Sequence, residues 1–487
     1  MNPLKKLFKQ TFIYGLATVL PKMLSFFLTP LFVSVMQPDA YGEVSLIFSW
    51  FAIFNVLLAY GMETAFFRFY HDTAQPRKRV VTTSLLSIGG SSLLFLLLAT
   101  IFRDPIATMT EIEPEYIQYA IYILVLDALV IIPFSWLRAN GKPMRYALVK
   151  ILNVAIYLGL NVFFLVVLPS MVKHDPDSAF TAIYRTDFEI SYIFISNLIA
   201  SAITLLFMLR LYFRRPYVFD VRLWKNMMGY AMPVLIAGIA FTVNEVFDRI
   251  MLSWMLPENT ADSEIGKYSA CYKLTLFMTL FATAFRMGIE PFFFSHSKTE
   301  NPQRTYAQIT NYFVILGSVI LLTVVVFSDV LKHILIPNSD YWEAMYIVPL
   351  VVLGSFCLGI YHNLSVWYKI TDRTEVGAYI SIIGAILTIM INYTFIPYFG
   401  YTASAVATLV AYGSMMLLSF YFGNMYYPIP YNYRKIVFYL GISIGFSIVS
   451  FYVFNGNLIV GILLLLLFLG MLFKLEREQL KKIFLKK

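Results

Sequence analysis

Apolar runs long enough to cross a bilayer dominate the chain, separated by short polar stretches. They fall near residues 11–35, 43–67, 80–102, 116–137, 148–168, 190–211 and 227–255, then 268–294, 309–328, 342–366, 375–397, 402–423, 435–454 and 457–473. A helix needs about 20 apolar residues to span the hydrocarbon core. Hydrocarbon offers no water to unpaired peptide groups, so each run must satisfy its own backbone as a helix. Continuous runs also exclude the alternating pattern of a membrane barrel strand. The pattern therefore predicts an all-α polytopic membrane protein with 14 transmembrane helices.

Composition agrees with the pattern: of 487 residues, 59% are hydrophobic and only 13% charged, against about 25% charged in soluble domains. Fourteen spans and their connections leave no length for a separate soluble domain. The position of the charges adds topology. Placing the N-terminus inside makes cytoplasmic both termini and the loops beginning at 68, 138, 210, 295, 369 and 424, and these segments hold 26 of the 37 Lys and Arg. That asymmetry satisfies the positive-inside rule. The net charge of +9 thus reports orientation, and no nucleic-acid partner is implied. Lys5, Lys6 and Lys9 resemble the start of a signal peptide, but Pro21, Lys22 and Pro30 interrupt the run that follows, predicting a retained first span. Outer loops are short and acidic, as at Glu111, Glu113 and Glu115. Cys271 and Cys357 lie inside apolar runs and read as packed thiols.

The first twelve spans repeat. GMETAFF at 61–67 returns as GIEPFFF at 288–294, and WLRANGK at 136–142 returns as WYKITDR at 367–373. Gly42 matches Gly266, and Asn161 matches Asn392. Equivalents are six spans apart, and an even number preserves orientation, so the two halves should be related by an axis along the membrane normal with a site between them. The expected organisation is an N-terminal six-helix lobe over 1–215, a C-terminal six-helix lobe over 216–430, and two additional helices with a basic cytoplasmic tail over 431–487.

Charge within the runs is the candidate chemistry. The residues singled out are Lys22, Glu63, Asp127, Glu245, Asp248, Arg249, Lys273, Arg286 and Glu290. Each costs about 2.5 to 3.5 kcal/mol at a helix centre facing lipid, so they must pair, face a wet cavity or reach an interface. Lys22 lies near mid-membrane, either paired with Asp127 or another carboxylate across helices, or facing a cavity as an anion ligand. Pro21 and Pro30 in the first span, with Pro233 and Gly238 in the seventh, predict interrupted helices at corresponding positions, a pointer to a transport site. Glu245, Asp248 and Arg249 share one helix face. They form either a purely structural ion pair or a second cation for the ligand, held by both carboxylates. Arg286 and Glu290 repeat the i,i+4 spacing, and Glu63 is the counterpart of Glu290. Asp127, alone in the fourth span, is a proton or sodium site or a neutral acid bonded to Tyr or Ser.

No glycine-rich phosphate loop is present, the five histidines lack ligand spacing, and no nucleophile with its base can be assembled, so no cofactor and no enzyme chemistry are expected. TPLF at 29–32 is followed by Gln37, Pro38, Tyr41 and Gly42, while Asp248 and Arg249 are followed by Gly266, Tyr268 and Lys273. With the six plus six plus two layout, this resembles the polysaccharide-transport branch of the multidrug/oligosaccharidyl-lipid/polysaccharide flippase superfamily. The resemblance implies a bacterial inner-membrane flippase that moves undecaprenyl-pyrophosphate-linked oligosaccharide, such as an O-antigen, capsule or exopolysaccharide unit, by alternating access. It also implies basic residues in a central cavity on the first and seventh helices, where Lys22 and Arg249 match. Coupling to H+ or Na+ and partnership with a glycan polymerase and glycosyltransferases belong to the same expectation. Two alternatives stay open: a cation-coupled multidrug antiporter of the superfamily, and a polytopic glycosyltransferase or glycan polymerase using the 169–189 loop with Asp175, Asp177 and Arg185.

Overall fold

The computed structural model describes residues 26–72, 75–213, 217–296 and 301–484, with side chains at 288, 290–296 and 478–484 excepted. Among the described residues there is no strand. Among the described residues, twelve helices are long and apolar enough to cross a membrane. Most of the first expected run lies outside the described residues. The eighth is two helices rather than one, broken by a 3-10 turn at Lys273–Thr275.

The chain divides into two compact units, Met1–Gly266 and Lys267–Lys487. In the first, α1 (Phe26–Val35) precedes α2 (Pro38–Ala59), α3 (Met62–His71), α4 (Arg77–Ile101), α5 (Arg103–Thr110), α6 (Pro114–Ala139) and α7 (Pro143–Val162). A π-helical turn, Phe163–Val167, carries α7 into α8 (Leu168–His174), and α9 (Glu189–Phe213), α10 (Val221–Met255) and α11 (Glu258–Tyr272) follow. Proline opens α2, α6 and α7, where its fixed φ and missing N–H cost nothing. The central helix is α6, packed by α2, α3, α4, α7 and α9. Phe194 of α9 binds this core together, its ring centroid 5.6, 5.9 and 6.1 Å from Phe48, Phe51 and Tyr116.

Two expectations about helix breaks are corrected. The second run turns at Tyr60 and Gly61, both at positive φ, because Gly61 lies against the Ala231 carbonyl and a Cβ there would overlap it. The interruption expected at Pro233 is absent: α10 is one 35-residue helix. Neighbouring groups in a packed bundle can re-satisfy the backbone that proline frees.

The second unit holds α12 (Leu276–His296), α13 (Pro302–Val326), α14 (Ser328–Leu335), α15 (Val348–Leu364), α16 (Val366–Ile370), α17 (Thr374–Phe399), α18 (Tyr401–Tyr426), α19 (Tyr433–Ile448) and α20 (Leu458–Phe484). Here α15 is central, lying on α18, α13 and α12, while α19 and α20 pack against α13. Lys435 of α19 reaches the buried Glu476 of α20 at 2.6 Å, and the Tyr439 hydroxyl donates to the same carboxylate at 2.7 Å. This polar clamp joins the last two helices. Their outer surfaces are apolar and open, as at Ile459 and Leu463, as lipid contact requires.

Local structure recurs at the offsets of the sequence repeat. At the end of α6 the Lys142 N–H donates to the Leu137 carbonyl with Gly141 at φ 62°, and after α16 the Arg373 N–H donates to Tyr368 with Asp372 at φ 55°. These are the same helix-ending turn, 231 residues apart. Asn161 and Asn392, both fully buried, each donate their amide to the carbonyl four residues back, at 2.7 and 2.8 Å. Both α4 and α13 end on a phenylalanine, Phe102 and Phe327, in matching conformation before a helix of 8 residues.

Candidate functional site

Three helices of the first unit line one space with residues at helical spacing on one face each. On α6 these are Asp127 with Val130, Ile131 and Phe134; on α7 Tyr146, Lys150 and Asn153; on α9 Asn197, Ser201 and Thr204. The i, i+4, i+7 rhythm aligns each set on one stripe. The three stripes, with Asn55 of α2 and Glu63 of α3, enclose a cavity of about 400 Å³.

Most of the polar groups have partners. The Ser201 hydroxyl donates to the Asp127 carboxylate at 2.7 Å. The Asn153 amide donates to Thr204 at 3.0 Å, and Thr204 passes its own proton to the Ala200 carbonyl. Lys150 holds its ammonium 4.4 Å above the Phe134 ring, attracted by Asp127 and Glu63. Glu63 is in turn bridged by Arg138 at 2.7 Å, whose guanidinium lies over the Phe67 ring. Carboxylate, ammonium and amides within one low-dielectric space can exchange a proton or coordinate a small monovalent cation. Their near-neutral sum makes the cavity a poor trap for a multivalent anion.

Glu63 and Asp127 therefore come together in this cavity. Arg249 does not line it: buried on α10, it bonds Asp248 at 2.9 Å and the Glu245 main-chain carbonyl at 3.1 Å. The Glu245 side chain is exposed, so of the two carboxylates expected to hold Arg249, Asp248 makes the recorded ion pair. Lys273 opens the 3-10 turn between α11 and α12. Arg286 is half-buried on α12. Lys22 lies outside the described residues, as does the side chain of Glu290.

Lys150 is the residue that sequence reasoning missed. Third in its run, it reads as an interfacial end cap of the cytoplasmic loop, but α7 begins at Pro143 and carries it two turns into the helix. The stripe of Asn197, Ser201 and Thr204 was a legible signal, since an apolar run with polar residues at i, i+4 and i+7 marks an inward face.

With this geometry in place, the comparisons with known proteins become informative. The polysaccharide biosynthesis protein family matches residues 7–296, and the MatE family matches residues 233–394. Among curated proteins none matches. Among solved structures the chain is similar to a lipid II flippase, MurJ, in an inward closed conformation, with a TM-score of 0.73 and 15% identity, covering 95% of this chain and 99% of that one. It is similar to an inward-facing multidrug resistance MATE family transporter of the MOP superfamily, with a TM-score of 0.65, 13% identity and coverage of 85% and 94%. A MOP superfamily transporter from Pyrococcus furiosus aligns with a TM-score of 0.57 and 14% identity over 86% and 95%. At these identities the structural matches establish the fold, and the family match spans more than half of the sequence. The chain is a multi-pass membrane protein that belongs to the polysaccharide biosynthesis protein family.

Proposed function

We propose that the protein is a flippase carrying lipid-linked oligosaccharide, an O-antigen, capsule or exopolysaccharide unit on undecaprenyl pyrophosphate, from the cytoplasmic to the periplasmic leaflet of the bacterial inner membrane. The family match over residues 7–296 carries this reading. The fold agreement with a lipid II flippase over 95% of the chain supports it, the MATE transporter aligning over less of the chain, 85%. Transport proceeds by alternating access in a chain of two six-helix pseudo-symmetric lobes with two added helices, both termini facing the cytoplasm. Moving a pyrophosphate and sugar through hydrocarbon is costly, so cations must meet the charge, and Lys22 and Arg249 are assigned that role. Arg249 exchanges its bond to Asp248 for the lipid phosphate. The Asp127 and Lys150 cavity is assigned to coupling, by uptake of a proton or sodium ion. Glycosyltransferases supply the substrate and a glycan polymerase receives it.

Reconstitution decides the matter. Liposomes containing the pure protein should move a fluorescent polyprenyl-pyrophosphate disaccharide between leaflets, and Arg249→Ala should slow that movement at unchanged protein abundance. The second reading, a cation-coupled drug antiporter, is favoured by the MatE match at 233–394. Ion-driven uptake of a cationic dye into the same liposomes, without movement of the lipid, would establish it instead.

A further inference from the structure

The two helices beyond the repeat do more than thicken the second unit. The end of α19 relaxes into a π-helical turn, Val449–Val453, a widened geometry often found at functional positions. Asn455 and Gly456 then turn the chain at φ 50° and 71°. These residues close a cavity of about 320 Å³ against α14 and the segment before α15. Its walls include Tyr346, Phe451 and Tyr452, and its polar residues include Asp329, Lys332 and Asn455, with Ser328 turned to the Val325 carbonyl.

Aromatic side chains at span ends ordinarily form an interfacial belt. Here they are tied around open space instead of filling it. The Tyr452 hydroxyl donates to the Tyr346 main-chain carbonyl at 2.7 Å, and the Tyr346 hydroxyl bonds Thr402. Lys332 is fixed between Asp329 and the Trp342 ring, its ammonium 4.3 Å from the ring centroid. The Asp329 side chain remains 57% exposed, with lone pairs to spare. A pyranose presents C–H bonds on its faces and hydroxyls around its rim. Fixed rings beside a carboxylate, an ammonium and a carboxamide match both surfaces, and ligand pockets begin at about 300 Å³. The Asp329 and Lys332 pair cancels in charge, which favours a neutral ring over a phosphate.

We propose that this end of the second unit, outer-facing under the positive-inside orientation, carries a saccharide-binding pocket that takes one neutral sugar ring. Its ligand chemistry is read from the pocket alone, so it stands apart from the transport proposal and from the cavity of the first unit.

The test is saturation-transfer NMR on the purified full chain in a sugar-free amphipol, with free methyl glycosides of a hexose, an N-acetylhexosamine and a 6-deoxyhexose as probes. At least one should receive saturation on its ring protons, with millimolar affinity of the order expected for a single ring. Asp329→Asn and Asn455→Gly should each weaken binding by about tenfold or more. Glycine adopts the positive φ of position 455 freely, so the second variant removes the carboxamide without disturbing the turn, and thermal unfolding checks this. The proposal fails if no glycoside shows transfer, if transfer persists unchanged in both variants, or if phosphoethanolamine displaces the sugar, which would make the pocket a lipid headgroup seat. Because the probes are water-soluble and nothing is translocated, failure of transport in liposomes would leave this result untouched.

Discussion

The fourth and fifth spans of the two halves share their turn and their buried asparagine, yet their interiors differ. The offset of 231 that pairs Trp136 with Trp367 and Asn161 with Asn392 puts Leu358 at the place of Asp127, Ser381 at that of Lys150 and Gly377 at that of Tyr146. Leu358 is buried, the Ser381 hydroxyl returns to the Gly377 carbonyl at 3.0 Å, and the Tyr368 ring lies over Gly377. Where the first half holds a charged cavity of about 400 Å³, these counterpart positions of the second half pack side chains. At these three positions the same backbone carries neither a carboxylate nor an ammonium, so the shared turn and the buried asparagine do not require them. Charge kept inside a membrane helix at a cost of several kcal/mol is therefore best explained by use.

The comparison can be broken by exchanging residues between the halves. Asp127→Leu installs the second half's residue but leaves Lys150 in the cavity without the carboxylate whose charge acts on it most strongly. Removing one member of a buried charge pair costs about 3 to 5 kcal/mol, which should appear as a large drop in unfolding temperature and in membrane abundance. The reverse exchange, Leu358→Asp, puts a carboxylate into packed surroundings and should cost about 2.5 to 3.5 kcal/mol. If it folds with unchanged stability, the second half contains polar space that the comparison denies. Ser201→Ala removes the 2.7 Å bond to Asp127 and should cost about 1.5 to 3 kcal/mol, the worth of a hydrogen bond to a charged group, while leaving Lys150 its partner.

A pH titration sharpens the contrast from outside the spans. Burial first, then the negative charges of Asp39, Glu111 and Glu258, push the Asp262 carboxyl up to about 6. The folded protein holds this proton more tightly than the unfolded chain does, so the contribution is fully present below the ordinary carboxylate range and lost as pH rises through 6. In Asp262→Asn that step in unfolding temperature between pH 4 and pH 7 should shrink. The order of the cavity variants should be unchanged, since Asp262 does not line the cavity.

Long apolar runs were sufficient to reveal the helices, because a bilayer imposes length and composition on any crossing segment. The repeat was equally visible, as residues at turns and contacts are constrained by backbone geometry. Gly42 and Gly266, matched by sequence, lie directly against each other: a methyl on Gly42 would overlap the Asp262 carbonyl, and one on Gly266 the Pro38 carbonyl. Helix continuity was less legible. Pro233 leaves α10 unbroken while Lys273–Thr275 interrupts a run well before its proline, Pro291, since packing decides which backbone defects are repaired. The cavity was half legible. Asp127 and Glu63 stood out as charges in apolar runs, whereas Lys150 was hidden by its place near a run's end.

The most direct test is liposome translocation of a fluorescent polyprenyl-pyrophosphate disaccharide by the double variant Asp127→Leu, Lys150→Ser beside the unaltered protein. Removing both charges together resembles the second half and should restore stability to within about 1 to 2 kcal/mol of the parent. With the fold intact, translocation should still fall by about a hundredfold, the equivalent of roughly 2.7 kcal/mol in the barrier. A double variant that moves the lipid as fast as the parent would show that the charged cavity is architecture, and would contradict this account.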